Sequence, residues 1–154
     1  MGMPFRESAG FGKRIEYYLI GKMLMEGLDV YVPLVDDHGV DCVIKKDAKT
    51  FIEIQIKARS SKVKEGDEAL FAAITHEKTE NFYFVFFSES MNTMWIMSSE
   101  EFLSQATENK SGKNQGKWTI WFNGIRTDKK TRHKVPNRKE KFKKYIATDF
   151  SRFH

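Results

Sequence analysis

Hydrophobic positions along this chain change their period several times, and each change marks an element. Phe11, Ile15, Tyr18, Leu19, Met23 and Leu24 recur at helical spacing, and Gly27 suits the position just past a helix end. A leading helix is therefore expected from about Phe11 to Glu26. Val30 to Val35 reads as a strand, and its Pro33 confines it to an edge or a strand end. Asp36-Asp37-His38-Gly39 is a turn by composition. Val40 to Lys46 and Thr50 to Arg59 then form the arms of a hairpin around Asp47-Ala48-Lys49. In the second arm the alternation is strict. Ile52, Ile54 and Ile56 share one face, and Glu53, Gln55 and Lys57 share the other, successive side chains lying roughly 7 Å apart.

Beyond the hairpin the pattern is more mixed. Glu65 to His76 is expected to form a short helix around Ala69 to Ile74, with a strand as the alternative. Asn81 to Ser88 is aromatic and β-branched almost throughout, the mark of a buried strand. Thr93 to Met97 is a further strand. Ser98, with Glu101 three positions on, offers a helix start. Trp118 to Phe122 is expected as a last strand. A polar loop from Lys129 to Arg138 precedes an expected terminal helix from Lys139 to Phe150. With no internal repeat and no linker, the reading is one domain over residues 1–154. Its class is α/β: a mixed central sheet of four to six strands flanked by helices, in the order αβββαβ.

The hairpin carries the most information because its register can be argued. A turn over Asp47-Ala48-Lys49 sets Lys46 opposite Thr50, Ile44 opposite Ile52 and Cys42 opposite Ile54, giving a continuous apolar face. On the other face Asp41 falls opposite Gln55, with Glu53 and Lys57 on either side. A two-residue slip keeps that polar cluster, whereas a one-residue slip breaks it.

Composition changes this picture only at a few points. The 154 residues suffice for a core without staples, and 40% hydrophobic with 31% charged residues is ordinary for a globular protein. The one cysteine, Cys42, rules out an internal disulfide and alternates away from Asp41, so it is expected in the core. The apolar runs are too short to span a bilayer and the first residues lack a secretory signal, which makes the cytoplasm the default location. The net charge of +5 is unevenly placed. Between Lys110 and Lys144 there are 13 Lys and Arg against two acids, a net +11, so the rest of the chain carries −6. A basic stripe of this kind is a footprint for phosphate contacts, with Lys129, Lys130, Arg132 and Lys134 as the candidates; a solvated lysine-rich surface is the plainer reading.

The hairpin's polar face suits one chemistry in particular. Phosphodiester cleavage calls for a hard cation, and magnesium or manganese prefers oxygen ligands. Asp41 offers a carboxylate, Gln55 an amide oxygen and Ile56 a backbone carbonyl, while Lys57 can orient water or steady a developing oxyanion. Plainer readings stand beside this one, since alternation at Glu53, Gln55 and Lys57 occurs in any half-exposed strand. Asp36, Asp37 and His38 read as turn residues, with His38 at the rim. His76, His133 and His154 lack zinc-ligand spacing. Trp95, Trp118 and Trp121 on predicted strands read as core before base-stacking platforms.

Gly39-Val40-Asp41, a hairpin, then Ile54-Gln55-Ile56-Lys57-Ala58-Arg59 resembles the PD-(D/E)XK nuclease superfamily, with its restriction-endonuclease-like core. The nearest likeness is to its Holliday-junction-resolvase-like branch, in which a leading helix carries a glutamate, here Glu16. The resemblance covers about residues 11 to 60 and, more loosely, continues to Ser88. Two positions depart from the family pattern. Gln55 stands where an acid is usual, with Glu53 able to compensate, and Val40 rather than proline precedes Asp41. The resemblance implies a metal-dependent DNA endonuclease with Asp41, Gln55, Lys57, Glu53 and Glu16 at the catalytic site. Asp41, Gln55 and Glu53 would hold the metal. Cutting both strands of a duplex would call for a homodimer. The rival expectations are an inactive nucleic-acid-binding module of the same fold and a non-enzymatic interaction protein.

Overall fold

The structure, a computed structural model, describes residues 5–35, 39–127, 130–136 and 140–154. Asp36, Asp37, His38 and Lys129 lie outside the described residues, as does the side chain of Lys134.

The leading helix α1 (Phe5–Met25) starts earlier than its apolar spacing suggested. Leu19, Ile20 and Met23 form its packed face, while Tyr18 and Leu24 turn outward at 50% and 55% exposure. Strand β1 (Asp29–Tyr31) is shorter than the expected Val30–Val35 run, and the chain leaves the sheet ahead of Pro33. Proline has no amide to give to a ladder, which fits that exit. Strands β2 (Cys42–Lys45) and β3 (Phe51–Arg59) form the expected hairpin, pairing Cys42 with Ile54 and Ile44 with Ile52. The Lys46 amide bonds the Thr50 carbonyl at its closed end.

Two expected helices are corrected. The segment within Glu65–His76 is strand β4 (Leu70–Ile74), so the order after the third strand continues with a strand rather than a helix. After β5 (Phe82–Ser88), β6 (Thr93–Ser98) and helix α2 (Ser99–Gln105) come β7 (Thr107–Glu108) and β8 (Trp118–Trp121). A hairpin of β9 (Ile125–Thr127) and β10 (Lys134–Pro136) follows. The expected terminal helix is replaced by a 3-10 turn at Lys143–Tyr145, strand β11 (Ile146–Ala147) and a second 3-10 turn at Ser151–Phe153.

The main sheet has six strands in the order β1-β2-β3-β5-β6-β11, and a second sheet has the order β4-β8-β7. Among the described residues only β3 and β5 pair in parallel within the main sheet, so this is the α/β class with a mixed sheet. Parallel neighbours cannot be joined by a tight turn. The connection from β3 to β5 therefore loops away from the sheet, and β4 lies in it.

Each face of the main sheet has its own core. On one, Ile52, Ile54 and Ile56 pack with Leu19, Ile20 and Met23 of α1 and with Phe150 and Phe153 near the C-terminus. Burying each isoleucine contributes roughly 1.5–3 kcal/mol. On the other, Phe82, Phe84 and Phe86 of β5 pack with Phe71 and Ile74 of β4, Phe102 of α2 and Phe122. Glu53, Gln55 and Lys57 pair with Phe82, Phe84 and Phe86. A polar row thus runs beside an aromatic one, and it borders a groove instead of a core.

Candidate functional site

The site begins where β2 parts from β3. There the Asp41 amide donates to the Ile54 carbonyl at 2.8 Å, and one Asp41 carboxylate oxygen, Oδ2, accepts from the Ile56 amide at 2.6 Å. The side chain thus takes over an amide at the frayed end of the ladder. A buried or half-buried N–H left without an acceptor would be costly, so this bond holds both the carboxylate and the strand end in place.

Immediately before it, Gly39 has φ +68 and faces Gln55. A Cβ on Gly39 would lie 3.0 Å from Gln55 Nε2 and 3.5 Å from its Cδ. The turn therefore needs glycine twice, for its left-handed backbone and for the room it leaves the Gln55 amide.

Gln55 shares an open groove of about 540 Å³ with Glu53, Lys57, Ala73, Thr75, His76, Glu77 and Phe82 among others. Gln55 and Lys57 are half-buried and Glu53 is exposed, so the row grades from anchored to solvated. Asp41 lines a neighbouring small recess of about 20 Å³, together with Glu16, Lys13, Tyr17 and Ile20 of α1. The expected residues therefore fall into two adjoining groups, Glu53 with Gln55 and Lys57, and Asp41 with Glu16. Gly39 and Asp41 lie close in sequence at the seam between them.

Glu16 is on the packed side of its helix. Glu16, Leu19, Ile20 and Met23 follow the three- and four-residue spacing of one helical face, and the latter three are buried. The Glu16 side chain keeps 18% exposure and pairs with Lys13 at 3.0 Å. Cys42 is wholly buried, and its thiol is pushed up to about 12, first by burial and then by the Asp41 and Glu16 carboxylates. It stays a protonated core residue, as its alternation suggested, and the effect places both carboxylates in its neighbourhood.

Two features were not visible in sequence. The first is a bulge in β4, where the pairing with β8 shifts between Phe71 and Ile74 and Ala73 takes φ 56. A non-glycine residue there is strained, and such irregularities gather beside functional surfaces. Ala73 lines the groove. The second is His76, half-buried on the groove wall with Nε2 2.6 Å from the Ser99 hydroxyl. Its ring packs on Phe82 and Phe84, and burial holds its pKa below the usual histidine value. Its position in the sequence has no zinc-ligand spacing, so nothing local in the sequence marks it.

Among the described basic candidates, Lys130 and Arg132 are exposed, Arg132 with φ 62, beside the β9–β10 hairpin. Among the described residues, no three His, Cys, Asp or Glu side chains converge as a metal cluster. No helix among them is long and apolar enough to cross a membrane.

No family model matches this chain, and no curated protein matches it. Its fold is similar to that of a bacterial homing endonuclease, I-Ssp6803I, with a TM-score of 0.53 and 17% sequence identity, covering 85% of this chain and 84% of that one. At that identity the likeness is one of fold alone, an α/β core shared over most of both chains.

Proposed function

We propose that this chain is a metal-dependent endonuclease of the PD-(D/E)XK type that hydrolyses DNA phosphodiester bonds. The observation that carries the reading is the Asp41 carboxylate fixed on the Ile56 amide, with Gln55 and Lys57 flanking Ile56 on the same strand. The fold likeness to an endonuclease agrees with it.

The donor set suits a magnesium-type ion. Such ions take hard oxygen ligands, keep several waters and need only one or two protein carboxylates. Asp41 and Gln55 would hold it, with Glu53 or Glu16 reached through water. When bound, the cation neutralises charge that builds on the phosphate. The protein's own groups do the rest. Asp41 holds the strand end rigid, Gly39 seats the Gln55 amide, and Lys57 orients the attacking water or donates to the developing oxyanion as the phosphorus–oxygen bond breaks. Lys129, Lys130, Arg132 and Lys134 would bind the DNA backbone.

One observation favours a second reading. Gln55 is neutral where a carboxylate would offset the cost of dehydrating the ion, as expected of a binding module that has lost its activity. Plasmid nicking titrated with magnesium separates the two. The nuclease reading expects wild-type nicking, loss of it in Asp41→Asn, and a lower magnesium requirement in Gln55→Glu. No nicking by the wild type, with nicking by Gln55→Glu, would establish the inactive module instead.

A further inference from the structure

Resting on the nuclease reading, we infer that His76 is a substrate-binding residue whose Nδ1–H donates to a DNA phosphate oxygen in the groove beside Gln55 and Lys57. Its Nε2 is engaged by Ser99, whose hydroxyl oxygen also accepts from the Thr79 amide at 3.0 Å. Ser99 is 2% exposed, and among the described residues its hydroxyl proton has no other acceptor than His76 Nε2. The hydroxyl therefore donates to Nε2 and fixes the proton of the neutral ring on Nδ1.

Among the described residues Nδ1 has no hydrogen-bond partner, and it is not sealed from solvent. His76 lines the groove, and the groove is taken as the solvent that Nδ1 meets. The ring cannot swing freely, because Phe82, Phe84 and Phe102 pack around it with centroids 4.8, 4.8 and 5.8 Å away. The result is a fixed donor on a residue that lines the same groove as the β3 row.

A neutral donor fits its surroundings. Among the described residues, Lys57 is the cation lining the groove, and Glu53 and Glu77 are its carboxylates. Burial disfavours a charged ring, against the opposing pull of Glu77. An N–H can approach a phosphate oxygen there without adding a desolvated charge.

Two substitutions separate the ring's two nitrogens. Asparagine can place an N–H near the Nδ1 position but cannot reach Ser99, whereas glutamine can reach Ser99 but leaves the groove without the donor. Binding to a fluorescent DNA duplex without added divalent ion should stay within about two-fold for His76→Asn and weaken about ten-fold for His76→Gln. Histidine nitrogen NMR of the unmodified protein should show the proton on Nδ1, a readout that needs neither activity nor a variant that folds. Equal binding by wild type and His76→Gln, or a proton on Nε2, overturns the inference while leaving the nuclease reading intact. Absence of DNA binding by the wild type, with the proton on Nδ1, overturns the nuclease reading and the phosphate ligand with it.

Discussion

Gly39 concentrates more constraint than its size suggests. Its φ of +68 lies where a Cβ is strained, and the Cβ would also press on the Gln55 amide. Gly39→Ala should therefore cost about 1–2 kcal/mol of stability in urea unfolding. The same crowding must displace Gln55, so the magnesium needed for nicking should rise as well. A variant that loses stability while keeping its magnesium dependence would mean that Gly39 serves the turn alone. Glu16 makes the complementary point, because a carboxylate on the packed face of a helix forgoes hydration that an exposed position would keep. That face could be read from its spacing to Leu19, Ile20 and Met23. The bond from the Ile56 amide to Asp41 could not, since it depends on where a ladder frays.

At the scale of elements, legibility followed the regularity of the backbone. The β2–β3 register came out as argued because strict alternation and a short turn leave few pairings that bury all three isoleucines. The cap of α2 was equally legible. Ser98 accepts from the Glu101 amide at 3.2 Å, and Glu101 Oε1 accepts from the Ser98 amide at 2.8 Å. Arg152 also reaches Glu101 at 2.6 Å, so this box ties the C-terminal segment to the sheet. Ser98→Ala should cost about 1 kcal/mol, read as a lower urea midpoint at unchanged slope. Strand β4 misled for a physical reason. Its bulge at Ala73 sends Phe71 and Ile74 to the same side, three residues apart, which is the spacing of a helix face. The C-terminal segment misled similarly, since Phe142 and Tyr145, and Phe150 and Phe153, are buried in pairs three apart by 3-10 turns.

For the whole molecule, the parallel pairing of β3 with β5 organises the site. It requires a long connection between the two strands, and Ala73, Thr75 and His76 of that connection line the groove together with the β3 row. None of this could be seen in local periodicity, because strand order is a long-range property. Charge, in contrast, is legible as composition, and it separates two tasks. In the proposed nuclease the basic C-terminal third would offer phosphate contacts that act at long range and weaken with salt, whereas Lys57 would act on a single reacting phosphate. The direct test is to measure duplex binding and plasmid nicking side by side for Lys57→Ala and for the joint replacement of Lys129, Lys130, Arg132 and Lys134 by alanine. Lys57→Ala is expected to keep its affinity within about two-fold while nicking falls about 100-fold or more, and the joint variant to lose affinity and salt dependence first. Nicking by Lys57→Ala at the wild-type rate would contradict the assignment of this groove as the site of cleavage.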